Sequence, residues 1–173
     1  MEVGIYGLIG VIVAGLMAYL ASQAKQKAQP TAQGTFHLRL HIAYGIIGWA
    51  CIVLGIGFFI GTIFSSEPYI LEIGFVMMLF FGVLGGICVL WHSNHAVSFN
   101  QLQLRSSSWL NNYQTMEWKD VKSINYNAVS GMLIFTNARN EKVKAHMHLV
   151  GLGSLGDAIE ENTTWKKSDL NIL

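Results

Sequence analysis

The sequence is short of charge. Of its 173 residues, 12% are charged and 52% are hydrophobic, whereas soluble domains carry about 25% charged residues. The shortage is local, because no charged residue occurs between Val3 and Ala24 or between Ile42 and Ser66, while the composition from Ala96 onward is ordinary. The composition therefore predicts a membrane part, residues 1–92, and a soluble part, residues 96–173.

Other absences exclude whole classes of function. The net charge is only +1, whereas a nucleic-acid-binding protein usually has a strongly basic surface. The two cysteines, Cys51 and Cys88, lie in apolar runs and do not form a disulfide framework. The chain has no G-x-S-x-G, P-loop or H-E-x-x-H motif, and its apolar runs hold no buried carboxylate, Lys or Arg of the kind that ion-coupled transporters use. We expect a non-enzymatic protein without a resident cofactor.

Three apolar runs are long enough to cross a bilayer as helices, at about residues 3–22, 42–64 and 70–91. The first run has no basic residue before it and is too long for a signal peptide, so we expect a retained span. The segment 23–41 reads as a polar loop, with Thr35 as a candidate N-cap of the second span. The third run passes into strand-like sequence at Ala96 without a linker, which predicts a domain held close to the membrane.

The charges of the two loops predict the orientation of the spans. The loop 23–41 carries Lys25, Lys27 and Arg39 and no acid, whereas the loop 65–72 carries two acids and no basic residue. Basic loops stay on the cytoplasmic side. We therefore expect the N-terminus outside and the C-terminal domain in the cytoplasm.

Small residues recur at four-residue spacing on each predicted span. Such residues let two helix backbones approach closely. They predict either packing within a three-helix bundle or, as the alternative, a docking face for another subunit. The residues are Gly10, Ala14 and Ala18 on the first span, Gly57 and Gly61 on the second, and Gly82 and Gly86 on the third.

The soluble part alternates apolar and polar residues with period two, as half-buried strands do. A short amphipathic helix follows, with Leu155, Ala158 and Ile159 on one side. These elements predict a small, strongly bent antiparallel sheet capped by one helix. The predicted strands are Ala96–Phe99, Leu102–Leu104, Trp109–Glu117, Val121–Tyr126, Gly131–Phe135 and Lys142–Met147, and the helix is Gly153–Glu161.

Three motifs of the soluble part carry a family resemblance. A strand ends in Trp118 before the short connection Lys119-Asp120, Gly131 opens an apolar strand that precedes a polar hairpin at 137–140, and small residues lead into the last helix. The stretch 97–161 resembles the bacterial PH-like domains, which are small modules often joined to membrane spans. The resemblance implies the same capped β fold, a core position for Trp118 and a place in the bacterial inner membrane.

Histidine is the residue type that could bind a metal. His37 and His41 are four residues apart at the predicted start of the second span, and His92 and His95 are three apart at the end of the third. Four imidazoles at one interface could bind a transition metal or haem iron. The alternative is that these side chains lie at the membrane interface, as Trp91 does.

The leading hypothesis is a non-enzymatic membrane subunit or scaffold whose cytoplasmic domain binds a protein partner, with self-association as a further possibility. The first alternative is a regulator that senses anionic lipid headgroups through basic side chains. The second is a metal- or haem-binding membrane protein that uses the histidines. The headgroup candidates are Arg105, Lys119, Lys122, Lys142 and Lys144.

Overall fold

The computed structural model describes residues 2–65 and 67–170, apart from the side chains of residues 2–10, 12, 13, 16 and 68. Its helices are α1 (Glu2–Lys25), α2 (Ile42–Ile63), α3 (Pro68–Asn94) and α4 (Leu152–Asn162). Two short 3-10 turns, Trp118–Asp120 and Lys167–Leu170, are also present. The strands are β1 (Phe36–Arg39), β2 (Ala96–Phe99), β3 (Gln103–Ser107), β4 (Tyr113–Glu117), β5 (Val121–Asn127), β6 (Met132–Asn137) and β7 (Lys142–His146).

The second and third predicted spans are helices, α2 and α3, and both are long and apolar enough to cross a membrane. Only 11% of the most apolar 18 residues of each helix are buried, so their apolar side chains face outward rather than into a core. The first predicted span is also helical, as α1. The predicted packing at Gly10 lies outside the described residues, as do all side chains before it, and Ala14 and Ala18 are exposed.

The segment 23–41 contains a strand that the sequence analysis missed. Strand β1 pairs antiparallel with β2, in a register that places Phe36 opposite Phe99 and Arg39 opposite Ala96. The predicted N-cap at Thr35 is wrong, because α2 begins only at Ile42, where His41 Nδ1 accepts a hydrogen bond from the Ala43 amide at 3.1 Å. The chain therefore leaves a sheet at β1, passes through two apolar helices, and returns to the neighbouring strand at β2.

The described residues form two compact units. The first contains the chain up to Arg39, Ala96–Ser106, and the chain from Tyr113 onward. The second contains Leu40–His95 and the loop Ser107–Asn112. The boundary predicted from composition, between residues 92 and 96, separates β1 from the sheet to which it belongs, because a polar composition does not distinguish a loop from a short exposed strand.

The strands of the first unit form two antiparallel sheets, in the orders β1-β2-β3-β4 and β5-β6-β7. The prediction of a single bent sheet is wrong, because β4 and β5 are not paired with each other. Strand β1 adds a fourth strand to the first sheet. Strands β2 to β7 lie at or within a few residues of their predicted positions. Between the sheets, the Ser106 hydroxyl donates a hydrogen bond to the Lys144 carbonyl at 2.5 Å.

Helix α4 packs with its predicted face inward, since Leu155, Ala158 and Ile159 are all buried. Its start is joined to the segment after α1. Lys27 forms an isolated antiparallel bridge with Leu152, and the Ala28 amide donates a hydrogen bond to Ser154 Oγ at 2.8 Å. The segment after α1 is thus part of the first unit rather than a free loop.

Helices α2 and α3 of the second unit pack along a seam of glycines. A Cβ added at Gly48 would lie 2.7 Å from Val89 Cγ2 and 2.8 Å from the Gly85 carbonyl, and one added at Gly85 would collide with the Gly48 carbonyl. A Cβ at Gly45 would lie 2.7 Å from the His92 ring. Gly45, Gly48 and Gly55 follow one another at spacings of three and seven residues, which keeps them on one face of α2.

The predicted G-x-x-x-G glycines are not in this seam. Among the described residues, apart from the helix's own backbone, no atom lies within 4 Å of a Cβ added at Gly57, Gly61, Gly82 or Gly86. Gly57 is two residues from Gly55, so it lies about 200° around the helix. Packing of these faces against another helix stays a prediction.

Candidate functional site

The first sheet has two different ends. Because β1 and β2 are antiparallel and the three residues 100–102 reverse the chain into β3, the residues Arg39, Ala96 and Ser107 all lie at one end. We call this the helix end, because the chain enters α2 and leaves α3 there. The opposite end, formed by Phe36, Phe99 and the turn Asn100–Leu102, is called the turn end.

A groove of about 530 Å³ opens at the turn end. Its apolar floor includes the rings of Phe36 and Phe99, which stack with centroids 4.9 Å apart. Polar side chains such as Gln33, Gln101 and Glu161 surround it. This combination of an apolar floor and a polar border is typical of ligand and partner sites. The groove is lined by Pro30, Gln33, Gly34, Phe36, Phe99, Asn100, Gln101, Leu102, Ala158, Glu161 and Asn162.

The tryptophan singled out in the sequence fixes the shape of this groove. Trp118 is buried, as predicted, and contacts the Phe99 and Phe135 rings edge to face. Its indole N–H donates a hydrogen bond to the Asn100 carbonyl at 2.8 Å. Asn100 Oδ1 in turn accepts hydrogen bonds from the amides of Leu102 and Gln103. The core is therefore connected directly to the turn that borders the groove.

The signal for β1 was present in the sequence. Residues 36–40 read Phe-His-Leu-Arg-Leu, and the buried side chains Leu38 and Leu40 alternate with exposed His37 and Arg39. This is the period-two pattern of a half-buried strand. This run of five residues stands directly before a 22-residue apolar helix, so it was predicted to be part of the polar loop that precedes that helix. The groove residue Phe36 was missed for the same reason.

The predicted headgroup residues lie on β3, the first 3-10 turn, β5 and β7. Lys142 and Lys144 are exposed on the same face of β7. Arg105 lies over the Tyr113 ring, with 4.3 Å from its guanidinium carbon to the ring centroid. Lys119 forms an ion pair with Glu117 at 2.7 Å, and this carboxylate raises the pKa of the lysine.

A second groove, of about 390 Å³, contains part of the basic set. Lys119, Lys122 and Arg139 line it together with the acids Asp120 and Glu141. The Asn137 side-chain amide donates a hydrogen bond to Glu141 at 2.6 Å. Three cations with two anions give a mixed surface rather than a strongly basic one, which weakens its attraction for anionic lipid.

The four predicted histidines have different environments. His37 is exposed on β1, so the prediction that it lies with His41 at the start of the second span is wrong. His41 caps α2, His92 lies in the last turn of α3, and His95 follows that helix. Within residues 2–65 and 67–170, no group of three or more His, Cys, Asp or Glu side chains is placed to hold a metal ion.

His95 is the most buried of the four, at 3% exposure. Its Nδ1 lies 2.6 Å from the Ser107 carbonyl, which can only accept, so this nitrogen carries the proton. Nε2 is buried without a hydrogen-bond partner among the described residues. Burial of the ring lowers the pKa of His95, although the bond to Ser107 acts in the opposite direction.

Comparison of this chain with family models, with curated proteins and with solved structures finds no match. The functional conclusion therefore depends on the geometry of the two ends of the first sheet and on the apolar helices between β1 and β2.

Proposed function

We propose that this chain is a non-enzymatic membrane protein that presents a partner-binding domain at the cytoplasmic face of the bacterial inner membrane. Helices α2 and α3 form a hairpin through the bilayer, and α1 provides a further span. The two sheets and α4 form a PH-like domain whose turn-end groove receives a segment of a partner protein. The observation that carries this proposal is the order β1-α2-α3-β2, in which two apolar helices join adjacent strands of one sheet.

The composition of the helices supports the membrane part of the proposal. Large apolar side chains such as Ile46, Val53 and Phe80 are about half exposed or more along α2 and α3. Exposed apolar surface of this extent is costly in water and favourable in lipid. The basic residues Lys25, Lys27 and Arg39 precede α2, and Glu67 and Glu72 flank the start of α3, which supports a cytoplasmic domain.

The connectivity supports a fixed geometry. Two residues separate β1 from α2 and a single residue, His95, separates α3 from β2. A domain joined to a hairpin at two adjacent strands has less orientational freedom than one that hangs from a single flexible linker. A scaffold that presents a groove to a partner benefits from this, because less freedom is lost on binding.

The experiment is native mass spectrometry of the full chain extracted from its own membrane in mild detergent. We expect a defined complex with a second polypeptide. Leu102→Glu, which places a charge at the edge of the groove, should remove that polypeptide, whereas Val129→Glu, at a fully exposed site on another turn, should retain it. A chain that carries no second polypeptide, or equal loss in both variants, contradicts the proposal.

Sensing of anionic lipid has less support in the geometry. Lys142 and Lys144 favour it, because both are exposed on one face of β7, but Lys119, another candidate, is paired with Glu117. Replacing both β7 lysines by glutamine and measuring binding of the full chain to anionic vesicles tests this alternative. Unchanged binding would exclude these lysines as the headgroup contact.

A further inference from the structure

The loop between β3 and β4 exposes two large apolar side chains next to each other. Trp109 is 43% exposed and Leu110 is 59% exposed. The loop comprises Ser108–Asn112 and belongs to the same compact unit as α2 and α3. Two adjacent apolar residues at a loop tip are unusual on a surface that meets only water, where such tips are polar.

The loop is an ordered turn. The Ser108 amide donates to the Asn112 carbonyl at 2.9 Å, and the Asn111 amide donates to the Ser108 carbonyl at 2.9 Å. Asn111 adopts φ of 60°, in the left-handed region that asparagine tolerates. Its backbone hydrogen bonds are thus made within the turn, and the two apolar side chains are held at its tip.

Three further hydrogen bonds tie the loop to the end of α3. The Asn94 side-chain amide donates to the Trp109 carbonyl at 2.7 Å. The Ser107 hydroxyl donates to the Asn94 carbonyl at 2.5 Å, and His95 Nδ1 donates to the Ser107 carbonyl at 2.6 Å. The loop is therefore attached to the last residue of the helix and to the residue that follows it.

This attachment fixes the height of the loop relative to the apolar helix. The uncharged run of α3 ends at Leu90, and Trp91 and His92 follow. Asn94 is three residues beyond Trp91, which is about 4.5 Å along a helix. Tryptophan side chains gather at the headgroup level of a membrane. A loop bonded to Asn94 consequently lies at that level when α3 spans the bilayer.

We propose that Trp109 and Leu110 insert into the headgroup and upper acyl region of the leaflet at which α3 ends, and so form a second membrane contact of the domain. The inference rests on the proposed membrane hairpin. The occupant is lipid rather than protein, because the loop is hydrogen-bonded to the end of the apolar helix.

The test uses the full chain in lipid nanodiscs, in a C51A/C88A background with one spin label at a time. Label depth is measured from the relative accessibility to oxygen, which concentrates in lipid, and to a water-soluble nickel complex. The labelled variants are Leu110→Cys in the loop and Val53→Cys midway along α2. The matched control is Leu102→Cys at the turn end, where the leucine side chain is 76% exposed.

We expect the label at residue 53 to be deep, the label at 110 to be at the interface with an oxygen-to-nickel ratio several-fold above that at 102, and the label at 102 to be aqueous. If residue 53 is deep and 110 matches 102, the loop inference is overturned while the hairpin stands. If residue 53 is also aqueous, the proposed membrane hairpin fails and the inference fails with it. A label at 110 shielded from both reagents indicates a protein contact and also overturns the inference.

Discussion

The helix end and the turn end of the first sheet contain the same kinds of residues in opposite roles. Each end has a tryptophan beside a turn. At the turn end, Trp118 is buried and its N–H holds the turn through Asn100. At the helix end, the Trp109 side chain is exposed, and only its backbone is held, because its carbonyl accepts a hydrogen bond from the Asn94 side chain. One end of the sheet therefore continues into α2 and α3, and the other end borders the groove.

The comparison also shows that two neighbouring strands can connect a buried core to helices whose apolar side chains are exposed. Strands β1 and β2 have buried side chains, Leu38 and Val97, that belong to the core. The same strands continue at the helix end into helices whose apolar side chains face outward. We infer that core packing fixes the sheet, and that the sheet in turn fixes the spacing between the chain entering α2 and the chain leaving α3.

The largest expected effect distinguishes the two tryptophans. Trp118→Ala removes a buried side chain and should lower the free energy of unfolding by about 3–5 kcal/mol, because the ring contacts Phe99 and Phe135. Trp109→Ala should change it by less than about 0.5 kcal/mol, as exposed positions do. Denaturant titration of the full chain in detergent, followed by circular dichroism of the β signal, measures both. Equal losses would contradict the assignment of the two ends.

Trp118→Phe refines this prediction. It keeps an aromatic ring and removes the hydrogen bond to the Asn100 carbonyl. We therefore expect a lower free energy of unfolding, with about 1 kcal/mol of the decrease due to the lost bond. If the groove depends on that turn, partner binding should weaken in Trp118→Phe under conditions in which the domain is still fully folded. Unchanged binding would show that the bond does not shape the groove.

The next effect tests the strand that joins the two ends. Leu38 is 0% exposed, and Leu38→Ala should lower the free energy of unfolding by about 2–5 kcal/mol. Leu102→Ala is the matched control and should be nearly neutral, because its side chain is exposed. Thermal melting of the two variants in the same detergent provides the comparison. A neutral Leu38→Ala would mean that β1 is not part of the core.

A smaller effect concerns the packing of α2 against α3. Gly85→Ala places a methyl group against the Gly48 carbonyl, and overpacking of this kind costs about 1–3 kcal/mol. Gly86→Ala has no such neighbour and should be neutral or stabilising, by up to about 1 kcal/mol, because alanine favours helix more than glycine does. The readout is the thermal stability of the helical signal. Destabilisation by Gly86→Ala instead would indicate another helix on that face.

The smallest effect is the pH dependence at the helix end. Burial lowers the pKa of His95 below its ordinary value of 6.5, so the folded protein binds fewer protons than the unfolded chain. The stability due to neutral His95 is therefore complete above about pH 6.5 and is lost as the pH falls through the folded pKa. His95→Asn, which can still donate to Ser107, should reduce the fall in melting temperature on acidification. His37→Asn, at an exposed site, should leave it unchanged.

Much of the fold could be predicted from local pattern. The period-two alternation located β2 to β7, the long apolar runs located α2 and α3, and the positions of Leu155 and Ile159 identified the buried face of α4. These elements are long or regular enough for their own residues to specify them. The core position of Trp118 was implied by the resemblance to PH-like domains, and the structure buries this side chain.

The remaining features depend on contacts between distant parts of the chain. Strand β1 is stable only because β2, about 60 residues later, supplies its hydrogen-bonding partner, and no short window of sequence contains both strands. The glycine seam was missed because Gly45, Gly48 and Gly55 do not match G-x-x-x-G, and their face is decided by the partner helix. The contact between Asn94 and Trp109 has no sequence motif at all.

The proposed membrane hairpin can be tested by the sidedness of two single cysteines in a C51A/C88A background. Ser65→Cys lies at the end of the α2–α3 hairpin and Leu102→Cys lies at the turn end of the sheet. Treating intact spheroplasts with a membrane-impermeant maleimide should label residue 65 at once and residue 102 only after lysis. If both residues are labelled from the same side, α2 and α3 do not cross the membrane as a hairpin, and the proposed role of the sheet is wrong.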